Sequence, residues 1–483
     1  MKTIITLFLI FLLAVTAFGE TPTVKSQGSK MIEKLTGKPV DVRIPRIGLD
    51  VERVVLANGM IVYLYENDRL PTLSLTTMIR CGSVYDSKEK DGLSQLVGTV
   101  MRTGGSTSIS GDSLNILLEY AGAMLETRIG DEFGTASLSV LSKDLDLGLK
   151  LWADLLRNPA FPADKLELAK VDIRNSIKRR NDDPGSVTNR YFNHLIYGDH
   201  PNGRILEWAS IKAITPEDLF AYHRMYFVPN NMIVGIAGDF RKDELIAKLN
   251  ALVGDWQKSE TIPAAPPEVI FGVKPGVYEV LKDVNQANIR IGQMGIRRDN
   301  PDRYAISLMN YILGGGSFTS RLTSRVRSDE GLAYRAGSSF DIDSRDYGVF
   351  AAFCQTKSST CYKATKIIME EISKIRAEGA TQDELDEARN AAINRFVFNF
   401  DTSGRIIQNL ISLEYNGYPT DYYDTYIDNV SRVTLADIKS VAEKYFDPSQ
   451  MTFVVVGKPE TFDKPLSEFG QVTTIELTEP VLE

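Results

Sequence analysis

Histidine, cysteine and tryptophan each occur only three times in 483 residues, and no two histidines stand four apart. A helical metal site with two imidazoles one turn apart is therefore excluded, and His194 and His200 could hold an ion only with ligands from elsewhere. The expected role of these two and of His223 is packing or surface hydrogen bonding. Cys81, Cys354 and Cys361 are too few for a disulfide framework and permit at most one bridge. Cys354 ends a strand-like run and Cys361 opens a helical one, which leaves a local bridge open. No thiol sits in a catalytic context. Positive charge is also scarce, with 55 Lys and Arg against 63 Asp and Glu and a net charge of -8, so there is no basic footprint for nucleic acid or an acidic membrane surface.

Long apolar runs are absent except at the start, where Lys2 is followed by an apolar stretch from Ile4 to Ala17 and by Ala-Phe-Gly before Glu20. That stretch falls short of the roughly 20 residues a membrane span needs. With its small-residue end it reads as a secretory signal over residues 1–19, which predicts export, to a periplasm, and no membrane span in the mature chain.

What is present in quantity is a duplication. The segment Ile214–Gly238 recurs loosely from Val433 to Gly457, and Thr215, Asp218, Tyr226, Phe227, Pro229, Met232 and Gly238 match residues always 219 positions further on. Each copy reads as a capped helix followed by a strand. Between the copies the Pro-rich Thr261–Ile270 suits neither helix nor sheet and reads as a linker. An Asn58-Gly59 turn between alternating apolar runs predicts a hairpin, and helical patterns are expected over residues 91–103, 112–122, 141–156 and 164–180. The class that follows is α+β, with two tandem homologous α/β domains of antiparallel sheet and packed helices. The expected boundaries are an N-terminal extension over 20–45, a first domain over 46–255, a linker over 256–273, a second domain over 274–463 and a tail over 464–483.

One string carries most of the chemistry, Tyr311–Tyr334, Y-I-L-G-G-G-S-F-T-S-R-L-T-S-R-V-R-S-D-E-G-L-A-Y. Tyr304, Leu308, Tyr311 and Ile312 mark one face of a buried helix that Gly314, Gly315 and Gly316 should end, since glycines readily take positive φ. Phe318, Leu322 and Val326 then make a second buried stripe, from which Arg327 turns away. Gly331 ends that helix, and a strand carries Tyr334 off. No Gly-Lys-Ser/Thr follows the glycines, so a phosphate-binding loop is not supported.

In its order of Gly-rich turn, S-R-L and R-x6-Y, this string resembles the C-terminal half of the pitrilysin/insulinase metallopeptidases, the inverzincins that include the mitochondrial processing peptidase. The resemblance implies tandem α/β domains, two per half, around a substrate chamber, and makes Arg327 and Tyr334 the family's R/Y pair, which reaches a peptide held at a zinc site. The corresponding zinc motif, G-L-x-H-x-x-E-H, is here G-L-S-Q-L-V-G-T from Gly92. Leu93, Leu96, Val97, Val100 and Met101 form the apolar stripe, which places Gln95, Gly98 and Thr99 at the ligand and base positions on the opposite face. The third ligand position, a Glu in the family, falls at Asn175 or Ser176. An amide, a hydrogen atom and hydroxyls offer zinc no strong ligand, so this chain is expected to bind none. The segment from Ala121 to Phe133 likewise departs from the family's substrate-pairing strand.

With the R/Y end intact and the zinc end eroded, the resemblance implies a non-zinc-binding subunit of a heteromeric metalloendopeptidase. Its expected partners are a homologous subunit that bears H-x-x-E-H and the zinc, and a peptide or unfolded-protein substrate. The alternative is a catalytically inactive structural or peptide-binding scaffold of the same fold.

Overall fold

The computed structural model describes residues 44–261, 265–269 and 275–483. The expected signal and nearly all of the extension, and part of the linker, lie outside the described residues.

The first sheet begins with the expected hairpin. Strand β1 (Glu52–Val55) pairs with β2 (Ile61–Glu66) across a turn in which Gly59 has φ 87°, a left-handed conformation that glycine adopts without strain. With β3 (Thr72–Ile79), β4 (Met124–Ile129), β5 (Gly134–Leu141) and β6 (Met232–Gly238), the order is β1-β2-β6-β3-β5-β4. Its helices include α1 (Leu93–Gly104), α2 (Gly111–Ala121), α3 (Leu145–Arg157), α4 (Ala163–Lys178), α5 (Pro184–Tyr197), α6 (Pro216–Tyr226) and α7 (Lys242–Val253). The expected helix at Leu141 starts later, because Leu141 is the last residue of β5 and is paired with Thr72.

The second sheet repeats the plan. Strands β7 (Gly276–Leu281), β8 (Gln286–Met294), β9 (Ala333–Phe340), β10 (Val349–Lys357), β11 (Thr452–Gly457) and β12 (Val472–Glu476) run in the order β12-β7-β11-β8-β10-β9. Helices α8 (Arg303–Asn310), α9 (Cys361–Glu378), α10 (Gln382–Phe396), α11 (Ser403–Asn416), α12 (Tyr422–Arg432) and α13 (Leu435–Tyr445) accompany it. The duplicated segments fold alike. Thr215 with Asp218 and Thr434 with Asp437 form capping boxes on α6 and α13, which lead into β6 and β11.

The α+β class holds, with one refinement. Both sheets are mixed, since β2 runs parallel to β6 and β7 runs parallel to β11 and β12. The cause is the helical crossover: β6 and β11 return after a long excursion and enter parallel to β2 and β7 but antiparallel to β3 and β8, and no tight turn could arrange the parallel pairs.

Each half also covers the other. Strands β6 and β11 are buried along their whole length, which requires a layer on both faces. One layer is local, and the second is exchanged. Helix α11, from the second half, packs Ile406, Ile407, Leu410 and Ile411 with Tyr63, Met78 and Ile233 of the first sheet. Helix α5, from the first half, packs Val187, Phe192 and Ile196 with Val280, Val454 and Val456 of the second. Glycines make room for both, because a Cβ at Gly235 would stand 2.8 Å from Ile407 Cγ1 and one at Gly292 would stand 2.8 Å from Phe192 Cζ. At the first of these contacts Arg53 donates two hydrogen bonds to Glu414, at 2.9 and 2.7 Å, and the Tyr63 hydroxyl donates a third. Strands β4 and β9 are edges of the two sheets, opposite the edges formed by β1 and β12.

Candidate functional site

The string expected to carry chemistry ends at the edge strand β9. Helix α8 does not stop before the glycines. It widens into a π-helical turn, Tyr311–Gly315, and none of Gly314, Gly315 and Gly316 has positive φ. They serve close approach instead: a Cβ on Gly314 would stand 2.3 Å from the Ser338 backbone nitrogen, and one on Gly316 would stand 2.7 Å from the Tyr311 carbonyl oxygen. Helix and strand backbones touch there because no side chain intervenes.

The next turns are anchored by the arginine of S-R-L. Arg321 donates to both carboxylate oxygens of Glu384, at 2.6 and 2.7 Å, and to the Gly379 carbonyl at 2.9 Å. Glu384 also closes the capping box of α10 with Thr381, so Arg321 is structural. The segment then passes through a short helix, Arg321–Thr323, into a second π-helical turn, Ser324–Asp329, with Leu322 and Val326 wholly buried.

Phe318 corrects the expected stripe. It is 64% exposed, and its ring lies against Arg327, whose guanidinium carbon is 4.7 Å from the Phe318 ring centroid and 4.7 Å from that of Tyr334. The guanidinium thus lies over two aromatic rings, an attraction worth about 0.5–1 kcal/mol per ring near the surface. Sequence periodicity missed Phe318 because the 3-10 turn Ser317–Thr319 breaks the helical register that the period assumes.

Tyr334 owes its position to a bulge. Arg335 pairs with Gln355 and Ala333 with Thr356, which leaves Tyr334 as the extra residue of β9, turned outward and 85% exposed. Among the described residues neither its hydroxyl nor the Arg327 N–H groups have a hydrogen-bond partner. Sequence reasoning brought these two side chains to one junction, and the structure brings them together there.

The positions expected to be empty of metal ligands lie on the first sheet. Gln95 and Thr99 are exposed on α1, and the Thr99 hydroxyl donates back to the Gln95 carbonyl at 3.0 Å. Gly98 departs from the expectation. It is buried, not on an open face, and a Cβ there would stand 2.8 Å from the Ile129 backbone nitrogen of β4. The Thr127 hydroxyl donates to the Gly98 carbonyl at 2.7 Å and fastens the edge strand to the helix. Asn175 and Ser176 are exposed on α4, where the Ser176 hydroxyl caps the Asp172 carbonyl at 3.0 Å. This donor set does not fit zinc, and the cleft between helix and edge strand is shut. Among the described residues no group of three or more His, Cys, Asp or Glu could hold a metal ion.

The histidines, the cysteines and Asp86 are engaged within the fold. His194 Nδ1, His200 Nε2 and His223 Nε2 each lie 2.8–3.1 Å from a backbone carbonyl oxygen, of Gly203, Pro267 and Leu156, and so carry the proton there. All three cysteines are buried free thiols with no bridge between Cys354 and Cys361, and burial pushes Cys81 and Cys354 up to about 12. Asp86 accepts hydrogen bonds from the Gly92 and Ser94 backbone N–H and the Ser94 hydroxyl at the start of α1, yet burial pushes its carboxyl up to about 7.

Comparison with known proteins agrees with this geometry. Residues 62–208 match the family described as insulinase (peptidase family M16), and residues 213–392 match the peptidase M16 inactive domain. An uncharacterized zinc protease of Mycobacterium leprae is 25% identical over 81% of this chain and 88% of its own length. A non-peptidase homolog, YmxG, of Helicobacter pylori is 24% identical over 81% and 90%. Among solved structures, a peptidase M16 inactive domain from Pseudomonas fluorescens superposes with TM-score 0.79 at 26% identity, covering 86% of this chain and all of that one. The periplasmic protease PqqL of Escherichia coli superposes with TM-score 0.75 at 15% identity, covering 87% of this chain but 47% of that one. In fold, in the order of its motifs and in both matched segments, the chain belongs to the pitrilysin/insulinase family of metallopeptidases, as a member with no metal-binding group among its described residues.

Proposed function

We propose that the chain is the metal-free subunit of a heteromeric zinc metalloendopeptidase, in which a homologous H-x-x-E-H subunit holds the zinc and this chain supplies Arg327, Tyr334 and one wall of the substrate chamber. The observation that carries the reading is the guanidinium held against two rings: its carbon lies 4.7 Å from the ring centroids of both Phe318 and Tyr334, and among the described residues neither its N–H groups nor the Tyr334 hydroxyl has a hydrogen-bond partner. In that role the Arg327 edge donates to a substrate carbonyl, and the Tyr334 hydroxyl donates to the oxygen that gains charge as the scissile carbonyl is attacked. A preorganised donor of this kind is worth about 10²-fold in rate or more. The span of 47% of PqqL supports the size this reading needs, one half of a two-half enzyme. The apolar N-terminal run supports export, to the periplasm.

The test is reconstitution with an H-x-x-E-H homologue and an internally quenched peptide. Hydrolysis is expected only on mixing. Tyr334→Phe should assemble normally and lower kcat by about 10²-fold, and Arg327→Ala should raise KM as well. Full activity in the double-variant complex rejects the shared site. A catalytically inactive scaffold is the second reading, favoured by the closed face at Gly98, and it predicts that both variants assemble with no activity to lose.

A further inference from the structure

A cavity of about 810 Å³ lies at the end of α6, in the first half, and shares no lining residue with Phe318, Arg327 and Tyr334. That volume falls within the roughly 300–1,000 Å³ of an ordinary small-molecule site. Three elements wall it. Met225 and Tyr226 are the last residues of α6, Tyr85 ends the 3-10 turn Ser83–Tyr85, and Pro266 and Pro267 come from the linker. The walls are fixed by their own contacts. The Tyr226 ring centroid is 5.5 Å from that of Tyr85 and 4.5 Å from that of Tyr222, and His200 Nε2 lies 3.1 Å from the Pro267 carbonyl oxygen.

The polar groups on these walls do not cancel. Tyr226 is only 7% exposed, yet among the described residues its hydroxyl has no hydrogen-bond partner and is not sealed from solvent. Buried side-chain donors are nearly always paired, so an unpaired and accessible one on a cavity wall points to a ligand that brings an acceptor. Burial pushes the Tyr226 hydroxyl up to about 12, so it stays protonated and can donate at neutral pH. The Tyr85 hydroxyl is unpaired as well. Arg224 is exposed and has no ion-pair partner among the described residues. Arg204 donates to the Asp86 carbonyl at 2.7 Å and meets a carboxylate, that of Asp91, only at 4.0 Å. Asp86 is the one acid among the lining residues, and its carboxyl turns to the start of α1, where the Gly92 and Ser94 N–H groups donate to it. Donors and positive charge thus stand beside apolar walls with no free carboxylate to balance them.

We propose that this cavity binds a small organic carboxylate with an apolar, aromatic body, the carboxylate at Arg224 and the hydroxyls of Tyr226 and Tyr85, the body against Met225 and Pro266. Two arginines disfavour a cation. A bare inorganic anion would leave the apolar walls uncovered, and a neutral apolar molecule would leave the Tyr226 hydroxyl unpaired. The inference stands apart from the shared-site reading, because the cavity is built wholly from this chain and needs neither a partner subunit nor the R/Y pair.

The experiment is calorimetric titration of the full chain, without any partner subunit, with three probes. Phenylbutyrate carries both charge and ring, phenylbutanol the ring without the charge, and acetate the charge without the ring. Phenylbutyrate should bind at one site per chain, about tenfold more tightly than either of the others, as a hydrogen bond to a charged group implies. Tyr226→Phe keeps the ring contacts and removes the hydroxyl, and should weaken phenylbutyrate about tenfold with little change for phenylbutanol. Arg224→Gln should also reduce the preference for the acid over the alcohol. Ala221→Trp, at an exposed lining position, should block both aromatic probes by filling the space. Equal affinity for acid and alcohol overturns the proposal, as does no binding of phenylbutyrate at millimolar concentrations. So does wild-type affinity for phenylbutyrate in Tyr226→Phe or in Ala221→Trp, which would put any bound acid elsewhere.

Discussion

Gly98→Ala tests whether the metal face is closed by packing or merely lacks ligands. The substitution has two opposed effects of known size. A helix-interior glycine replaced by alanine gains about 1 kcal/mol in an open setting. Here the new Cβ would stand 2.8 Å from the Ile129 nitrogen and 3.3 Å from the Arg128 Cα, both backbone atoms of an edge strand that must move away. Such overpacking costs about 1–3 kcal/mol, and retreat of β4 stretches the 2.7 Å Thr127 to Gly98 hydrogen bond, worth about another 1 kcal/mol. The net expectation is a loss of about 1–3 kcal/mol, seen as a Tm lower by about 2–12 °C for a domain of this size. Urea denaturation or calorimetry of the single variant reads it, with Gln95→Ala at an exposed position as the control that should stay within about 0.5 kcal/mol. The same closure predicts that Gln95→His, Gly98→Glu, Thr99→His together restore no stoichiometric zinc by metal analysis. A Gly98→Ala protein more stable than wild type, or a triple variant with one tightly held zinc, would refute the closed cleft.

Two further outcomes follow from single groups. Phe318→Ala removes one ring from Arg327 and should raise KM of the reconstituted complex about 2–5-fold while costing no more than about 1 kcal/mol of stability, whereas Phe318→Tyr keeps the contact and should leave KM unchanged. Asp86 makes stability fall with rising pH: its carboxyl stays protonated in the fold to about 7 while the unfolded chain ionises near 3.8, so the loss begins near the lower value and levels off above the higher. Wild type should therefore lose about 2 kcal/mol relative to Asp86→Asn between about pH 5.5 and 8.5 in urea titrations, and a constant difference across that range would remove Asp86 as the cause.

Local signals in the sequence translated well because their physics is local. The Asn58-Gly59 turn and the two Thr-Asp capping boxes are made by residues within four positions of one another, and each forms as expected. The errors lie where distant chain decides. Gly314, Gly315 and Gly316 suggested positive φ, but the strand that presses on Gly314 arrives some twenty residues later, and nothing in the glycines announces it. Gly98 reads as an outward helix position until β4 is laid against it. The exchange of α5 and α11 was hidden for the same reason, since an amphipathic stripe says that a helix is covered and not by which half. Phe318 had the spacing of a core residue and lost that place to a 3-10 turn.

The structure also separates residues of one string by what accounts for them. Gly314 is explained by the approach of β9, Arg321 by Glu384 and the Gly379 carbonyl, and Leu322 and Val326 by burial. A scaffold needs all of these. Arg327, Tyr334 and Phe318 are different, because their removal opens no cavity, breaks no hydrogen bond among the described residues and uncovers little of the core. A half-buried arginine against two exposed rings at an edge-strand bulge contributes about 1–2 kcal/mol, and an exposed aromatic pair carries the hazard of nonspecific association. Folding alone does not account for them. The proposed partner, meeting this edge, would bury both rings and take up the unpaired N–H and O–H groups, so variants at these three positions, rather than those at the glycines or Arg321, are the ones that discriminate a shared catalytic site from a scaffold.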